Sequence, residues 1–98
     1  MTLDIKELRN EIDAIDQELI RLFCRRMEVT SKIAAYKKEN GLPIYHPGRE
    51  QEVLQKVADL AGSGLRDYAQ ALYSEIFALS KQYQSAQNGE HGANKEVI

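Results

Sequence analysis

A basic residue stands where an apolar one is expected in the first third of the chain. The spacing of apolar residues from Leu22 to Val29 assigns the intervening position 26 to the packed face of a helix, and that position holds Arg26. Lys37 follows eleven residues later, which on a helix is about three turns, so both cations point the same way roughly 16 Å apart. One helix face could therefore hold an anionic ligand. Taken alone, Arg26 also suits a guanidinium that reaches solvent or pairs with an acid, and Lys37 suits a helix end.

Two neutral hydrogen-bonding residues lie near the C-terminus. Ser80 and Gln84 are separated by one helical turn and continue the face that carries Ala69, Tyr73 and Ile76. We expect them to face inward or nearly so. Because Ser and Gln are mostly exposed in proteins, a plain surface position is the alternative.

Further charged candidates lie at Arg49, Glu50 and Arg9. Arg49 and Glu50 fall in the first turn of a second predicted helix, where the helix dipole favours Glu and opposes Arg. Arg9 lies on the first helix, about 100° from the direction of Arg26 and far down the axis, so the two cannot share a site within one chain. A partner chain could bring Arg9 there; otherwise it is a solvated charge.

Residue types for covalent or metal chemistry are scarce. Cys24 is the one cysteine and has no His near it in sequence, so we expect a small core or surface residue rather than a nucleophile. Two histidines and one cysteine form no recognisable ligand set, so no metal or other cofactor is expected.

A net charge of -2 gives no general attraction for nucleic acid or membrane. The lone cysteine and the N-terminal sequence, which has no basic start or apolar run, favour the cytoplasm.

The element that must carry Arg26 and Lys37 is one very long helix. A stripe of apolar residues in steps of three and four runs from Ile5 to Tyr36, Asp4 suits its N-cap, and Asn40-Gly41 should end it. Such a helix spans roughly 50 Å, whereas a compact chain of this length has a diameter of about 30 Å. We therefore expect a second copy of the chain to cover the overhanging apolar face.

Two shorter helices follow. Pro47 suits the first position of a second helix that ends near Ala61, before Gly62-Ser63-Gly64. Its expected inward side is Val53, Leu54, Val57, Leu60 and Ala61. A third helix should run from Leu65 to about Gln87, with apolar residues at Ala69, Leu72, Ile76, Leu79 and Tyr83. The chain is thus predicted to be an all-α domain over residues 1–87, followed by a polar, flexible tail over residues 88–98.

This arrangement resembles the all-helical chorismate mutase family over residues 4 to about 87. The resemblance rests on the order and spacing of Leu8-Arg9, Ile12, Ile15-Asp16, Leu19, Arg25-Arg26, Lys37, Pro43-Ile44-Tyr45, Arg49-Glu50, Ser80 and Gln84. It implies an intertwined, domain-swapped homodimer of three-helix chains, in which one long helix spans both active sites. It also implies the pericyclic rearrangement of chorismate to prephenate in phenylalanine and tyrosine biosynthesis. That step needs no nucleophile, so positioning and electrostatics must provide catalysis.

The resemblance implies a catalytic role for four residues. Arg26, together with Arg9 of the other subunit, would bind the carboxylates of the dianionic substrate. Lys37 and Gln84 would hydrogen-bond the ether oxygen, which gains negative charge as the C–O bond breaks. Glu50 would accept a hydrogen bond from the ring hydroxyl.

Three further residues are implied to bind or support the substrate. Ser80 would bind the ring carboxylate, and Arg49 would help to hold Glu50. His46 stands where many members of the family have an acidic residue, which would weaken hydroxyl binding or make it pH-sensitive if that side chain takes part.

Two other functions remain open. Isochorismate pyruvate lyase resembles this family in fold and cationic site, although Lys37, Ser80 and the Pro43-to-Pro47 loop favour the mutase. The other is a non-catalytic helical dimer in which Arg26 sets the register. This alternative predicts that Arg26→Ala changes assembly rather than rate.

Overall fold

The computed structural model describes residues 4–87, which form three α-helices. They are α1 (Ile5–Glu39), α2 (Pro47–Ala61) and α3 (Arg66–Gln87). The described part of the chain contains no strand, so the predicted all-α class is confirmed. The predicted tail at 88–98 lies outside the described residues.

The ends of α1 are set by the residues that the sequence indicates. Asp4 is the N-cap, and its carboxylate accepts a hydrogen bond from the backbone N–H of Lys6 at 3.0 Å. Asn40 is the C-cap, and Gly41 follows with a φ of 66°, a conformation that glycine adopts without the strain of a Cβ atom. The chain therefore leaves α1 at the predicted turn.

Helix α2 begins and ends as predicted, but its first cap is unusual. Pro47 is the first helical residue, and His46 before it is the N-cap. The imidazole Nδ1 of His46 accepts a hydrogen bond from the backbone N–H of Arg49 at 3.0 Å. At the other end Gly62 has a φ of 83° and stops the helix.

Helix α3 is the central element of the packing. Within residues 4–87, α2 packs along α3, and the second half of α1 packs on the same helix near Tyr73, Phe77 and Ser80. The backbones of α1 and α2 do not approach each other. The core cluster consists of Val53, Val57 and Phe77, with Leu54, Ala69 and Tyr73 packed around it. The site is built where α3 meets both other helices.

Several predicted apolar contacts are not made within the chain. Leu60 is predicted to face inward but is 79% exposed, because the buried arc of α2 runs from Val53 through Leu54 to Ala58 and Leu60 lies beyond its edge. Of the apolar residues predicted to face inward on α3, Leu72, Leu79 and Tyr83 are exposed. The face of α3 that packs inward is instead the face that carries Phe77, Ser80 and Gln84.

The first half of α1 extends away from the other helices. The molecule measures 59 × 32 × 21 Å with a radius of gyration of 17.3 Å, whereas a compact chain of this size has about 12 Å. The apolar residues of this half are exposed at Ile5, Leu8, Ile12, Ile15, Leu19 and Leu22. The predicted overshoot of α1 is confirmed. Within residues 4–87, no helix is long and apolar enough to cross a membrane.

Candidate active site

A cavity of about 170 Å³ lies between the second half of α1, the start of α2 and the end of α3. The structure brings together there all of the predicted site residues except Arg9. They are Arg26 and Lys37 from α1, His46, Arg49 and Glu50 from the start of α2, and Ser80 and Gln84 from α3. The remaining lining residues are Thr30, Ile33, Ile44, Val53, Phe77 and Lys81.

Arg26 is held at the cavity by aromatic rings. Its guanidinium carbon lies 5.5 Å from the centroid of the Tyr73 ring and 5.8 Å from that of Phe77. No carboxylate among residues 4–87 forms an ion pair with it. The acid-paired alternative for Arg26 is thus not realised among the described residues. The side chain is half-buried, and its N–H groups remain available to an anionic ligand.

Lys37 joins the end of α1 to the loop before α2. Its Nζ donates a hydrogen bond to the carbonyl oxygen of Ile44 at 2.7 Å. An ammonium has three N–H donors, so two remain for a ligand in the cavity. The contact also restricts the lysine side chain, which is otherwise flexible.

Ser80 and Gln84 are buried, so the surface alternative for these two residues is wrong. Ser80 is 5% exposed and Gln84 is 7% exposed. The Ser80 hydroxyl lies 3.6 Å from the sulfur of Met27, and the Gln84 oxygen Oε1 has no hydrogen-bond partner among the described residues. Buried amide groups are nearly always hydrogen-bonded, so this unpaired amide oxygen at a cavity wall indicates a place for a ligand.

The start of α2 differs from the expected arrangement in one respect. The Arg49 guanidinium pairs with Glu52 at 3.3 Å on the exposed side of α2 and does not contact Glu50. The partner of Glu50 is Lys81, whose Nζ lies 3.2 Å from Oε2. Arg49 therefore does not hold Glu50 in this structure, and Lys81 does.

Sequence reasoning did not identify Lys81. It follows Ser80 on α3 and lies beside Glu50 only because α2 packs along α3. No periodicity within α3 indicates that contact. The sequence carried no signal for it, since the partial burial of Glu50, which favours an ionic partner, is known only from the structure.

Arg9 lies far from the cavity, as the sequence predicted for a single chain. It is exposed on the first half of α1, seventeen residues before Arg26, which corresponds to about 25 Å along the helix axis. The cavity of one chain therefore lacks Arg9.

The charges of the cavity favour an anion. Its lining contains Arg26, Lys37, Arg49 and Lys81 but a single carboxylate, Glu50. No base is hydrogen-bonded to the Ser80 hydroxyl, and the Nδ1 of His46 is engaged in capping α2. No group of His, Cys, Asp or Glu in residues 4–87 could hold a metal ion. The arrangement can bind an anionic molecule, orient it and stabilise negative charge that develops on it.

The fold and the site together define an all-helical domain with a cationic cavity for a small anionic ligand. The chain belongs to the chorismate mutase type II family, whose family model matches residues 8–85. This match confirms the family that the sequence resembles.

Individual relatives agree with this assignment. The chain is 36% identical over 85 residues to the T-protein of Haemophilus influenzae, a match that covers 81% of this chain and 22% of that protein. It is 36% identical over 58 residues to the 4-amino-4-deoxychorismate mutase of Streptomyces venezuelae, over 59% of this chain and 56% of that protein. The chain thus spans less than a quarter of the T-protein.

A solved structure of similar size shares the fold. The chorismate mutase (form II) of Thermus thermophilus superposes with a TM-score of 0.79 at 30% identity, covering 83% of this chain and 93% of that chain. These similarities favour the mutase over the lyase and over the non-catalytic helical dimer.

Proposed function

We propose that this chain catalyses the rearrangement of chorismate to prephenate, as a cytoplasmic enzyme of phenylalanine and tyrosine biosynthesis. The observation that carries the proposal is the convergence of Arg26, Lys37 and Gln84 on one cavity. The guanidinium has no acidic partner among the described residues and the buried amide oxygen has no partner there. The guanidinium is therefore available to a carboxylate of the ligand, and the Gln84 amide can serve the ether oxygen once its Nε2 donor is turned into the cavity.

Positioning is the first contribution to rate. In the rearrangement the ether C–O bond breaks while the enolpyruvyl CH₂ forms a C–C bond to the ring, and no proton is transferred. The enolpyruvyl arm must lie over the ring before this can happen. Arg26 binds its carboxylate through the planar fork of the guanidinium, and the Ser80 hydroxyl donates to the ring carboxylate. Holding both ends removes rotational freedom ahead of the chemical step.

Charge stabilisation at the ether oxygen is the second contribution. As the C–O bond lengthens, negative charge grows on the oxygen, and the donors of Lys37 strengthen their hold on it. Gln84 can present its Nε2 to the same oxygen after a half-turn of its terminal torsion. An acceleration near 10⁶-fold corresponds to about 8 kcal/mol, which orientation and a few charged hydrogen bonds can supply.

Glu50 is assigned to the ring hydroxyl by elimination within the cavity. It is the one carboxylate in the lining, and it would repel either carboxylate of the substrate. The hydroxyl is the one hydrogen-bond donor that chorismate offers at neutral pH. 4-Amino-4-deoxychorismate, the compound in the name of the Streptomyces relative, carries an ammonium group in place of this hydroxyl. Glu50 would therefore bind the group by which that compound differs from chorismate.

The proposed enzyme is a homodimer in which Arg9 of one chain completes the cavity of the other. This proposal is supported by the exposed apolar stripe from Ile5 to Leu22, which nothing in the described chain covers. A second copy that packs on this stripe would bury it. The proposed substrate has two carboxylates, and the guanidinium of Arg26 can bind one of them. The second copy would bring the guanidinium of its own Arg9 to the cavity for the other carboxylate.

The direct test is the turnover of chorismate by purified protein, with the products separated by chromatography. Wild type should form prephenate. Lys37→Ala should lose about 10²- to 10³-fold in kcat, whereas Lys32→Ala, which removes an exposed lysine of the same helix, should leave the rate unchanged. Release of pyruvate from isochorismate without turnover of chorismate would identify a lyase instead. Inertness toward both compounds would overturn the proposal.

A further inference from the structure

Lys81 makes two contacts that the proposed mechanism does not use. Its Nζ lies 3.2 Å from Oε2 of Glu50 and 4.5 Å from the centroid of the Tyr45 ring. Lys81 also lies at the boundary between the candidate active site and a larger, neighbouring cavity of about 610 Å³, since it lines both. It thus connects α3 to the first turn of α2 and to the preceding loop.

These contacts fix the orientation of both charged groups. The ring of Tyr45 and the carboxylate of Glu50 contact the same ammonium, which restricts a side chain that otherwise samples many rotamers. The side chains of Lys81 and Glu50 are 38% and 24% exposed, so the ion pair is only partly screened by water. Lys81 engages Oε2, and Glu50, which lines the cavity, keeps its other oxygen, Oε1, without an ion-pair partner among residues 4–87.

We propose that Lys81 is a positioning residue that sets the substrate choice of Glu50. It makes the site select a ligand with a neutral hydroxyl over the same ligand with an ammonium group at that position. This inference rests on the proposed function, because it takes chorismate and its 4-amino counterpart as the ligands to be distinguished.

The physical reason is the charge that Glu50 presents. A carboxylate without a partner would bind an ammonium more strongly than a hydroxyl, because only the ammonium adds an ion pair. Lys81 already supplies that ion pair. A ligand ammonium bound to Oε1 would lie within about 5 Å of the Lys81 ammonium and would be repelled by it. A hydroxyl donates to Oε1 without this repulsion.

The test compares two substrates on four proteins. We would measure kcat/KM for chorismate and for 4-amino-4-deoxychorismate with wild type, Lys81→Met, Lys81→Arg and Lys56→Met. Wild type should prefer chorismate, and Lys81→Met should reduce that preference by about tenfold or more, after allowance for solvent screening. Lys81→Arg keeps the charge and should keep the preference. Lys56→Met removes an exposed lysine of α2 and should change neither substrate.

The ratio of the two kcat/KM values separates substrate choice from a loss of structure. Loosening of the Tyr45 loop would lower both rates in proportion, so an unchanged ratio in Lys81→Met would overturn the inference. If that variant does not fold, Lys81→Gln provides the same comparison with a polar side chain. A wild type that is active on chorismate but equally active on the 4-amino compound would also overturn it. A wild type inactive on both compounds would overturn the proposed function itself.

Discussion

The guanidinium of Arg26 lies over the ring of Tyr73, with 5.5 Å between the guanidinium carbon and the ring centroid. An aromatic face orients an arginine without using its N–H donors, because the attraction acts through the π-electrons. A carboxylate in the same place would occupy those donors and would compete with a ligand. The choice of an aromatic support is thus suited to an arginine that must bind an anion.

Replacement of Tyr73 should therefore weaken substrate binding. Tyr73→Leu should raise KM for chorismate about two- to fivefold, because a partly exposed cation–π contact contributes about 0.5–1 kcal/mol. Tyr73→Phe keeps the ring and should retain the wild-type KM. Steady-state kinetics of the two variants give the comparison. Equal KM values for the Leu and Phe variants would show that the ring does not support Arg26 in binding the substrate.

Gln84 should lower the stability of the folded protein but raise the rate of prephenate formation. Gln84→Met replaces a buried, unpaired amide with an apolar group of similar size, so the free energy of unfolding should rise by about 1 kcal/mol. The rate of prephenate formation should fall by about 10²-fold or more, because a donor to the ether oxygen is lost.

Urea unfolding and chorismate turnover measure these two effects of Gln84→Met. Gln82→Met, at an exposed position of α3, is the control and should change neither quantity. A less stable Gln84→Met protein would show that the amide is satisfied in the folded enzyme without substrate.

The proposed exchange of Arg9 between subunits can be tested by mixing two inactive variants. Arg9→Ala and Arg26→Ala each damage both sites of a homodimer. A heterodimer formed from the two has one site with both arginines intact and one site with neither. Mixing after reversible dissociation should thus restore about a quarter of the wild-type activity. If Arg9 acted within its own chain, the mixture would be no more active than its components.

His46 should stabilise α2 as a capping residue. Its Nδ1 accepts the backbone N–H of Arg49, so His46→Ala should lower the free energy of unfolding by about 1 kcal/mol. His46→Asp restores an acceptor and adds a negative charge at the helix N-terminus, so its stability should equal or exceed that of wild type. Thermal melts of the three proteins at neutral pH are sufficient. An Ala variant as stable as wild type would contradict the capping role.

Local signals predicted the helices well. The apolar stripe, the caps at Asp4 and Asn40-Gly41, and Pro47 depend on neighbours within a few residues, and the structure agrees with each of them. The interruption of the stripe at Arg26 likewise indicated the cavity, because an inward arginine is costly without a ligand or partner.

Features that depend on packing between helices were not predictable. The pairing of Glu50 with Lys81 requires the relative rotation of α2 and α3, which no periodicity within either helix specifies. The exposure of Leu60 has the same origin, because the rotation of α2 against α3 decides which edge of its apolar face is left uncovered. The covering of the α1 stripe depends on a second chain and stays a prediction.

The separate packing of α1 and α2 on α3 has a consequence for how the molecule folds. The contacts between α2 and α3 join neighbouring segments of the chain, so this hairpin can form early and on its own. The cavity needs α1 as well, and exists only after α1 has docked. In a chain separated from its proposed partner, partial openings that release α1 would empty the site while the hairpin persists. Amide hydrogens of α1 should then exchange with solvent sooner than those of α2 and α3. A ligand bound in the cavity, which all three helices line, would then slow the exchange of α1 most.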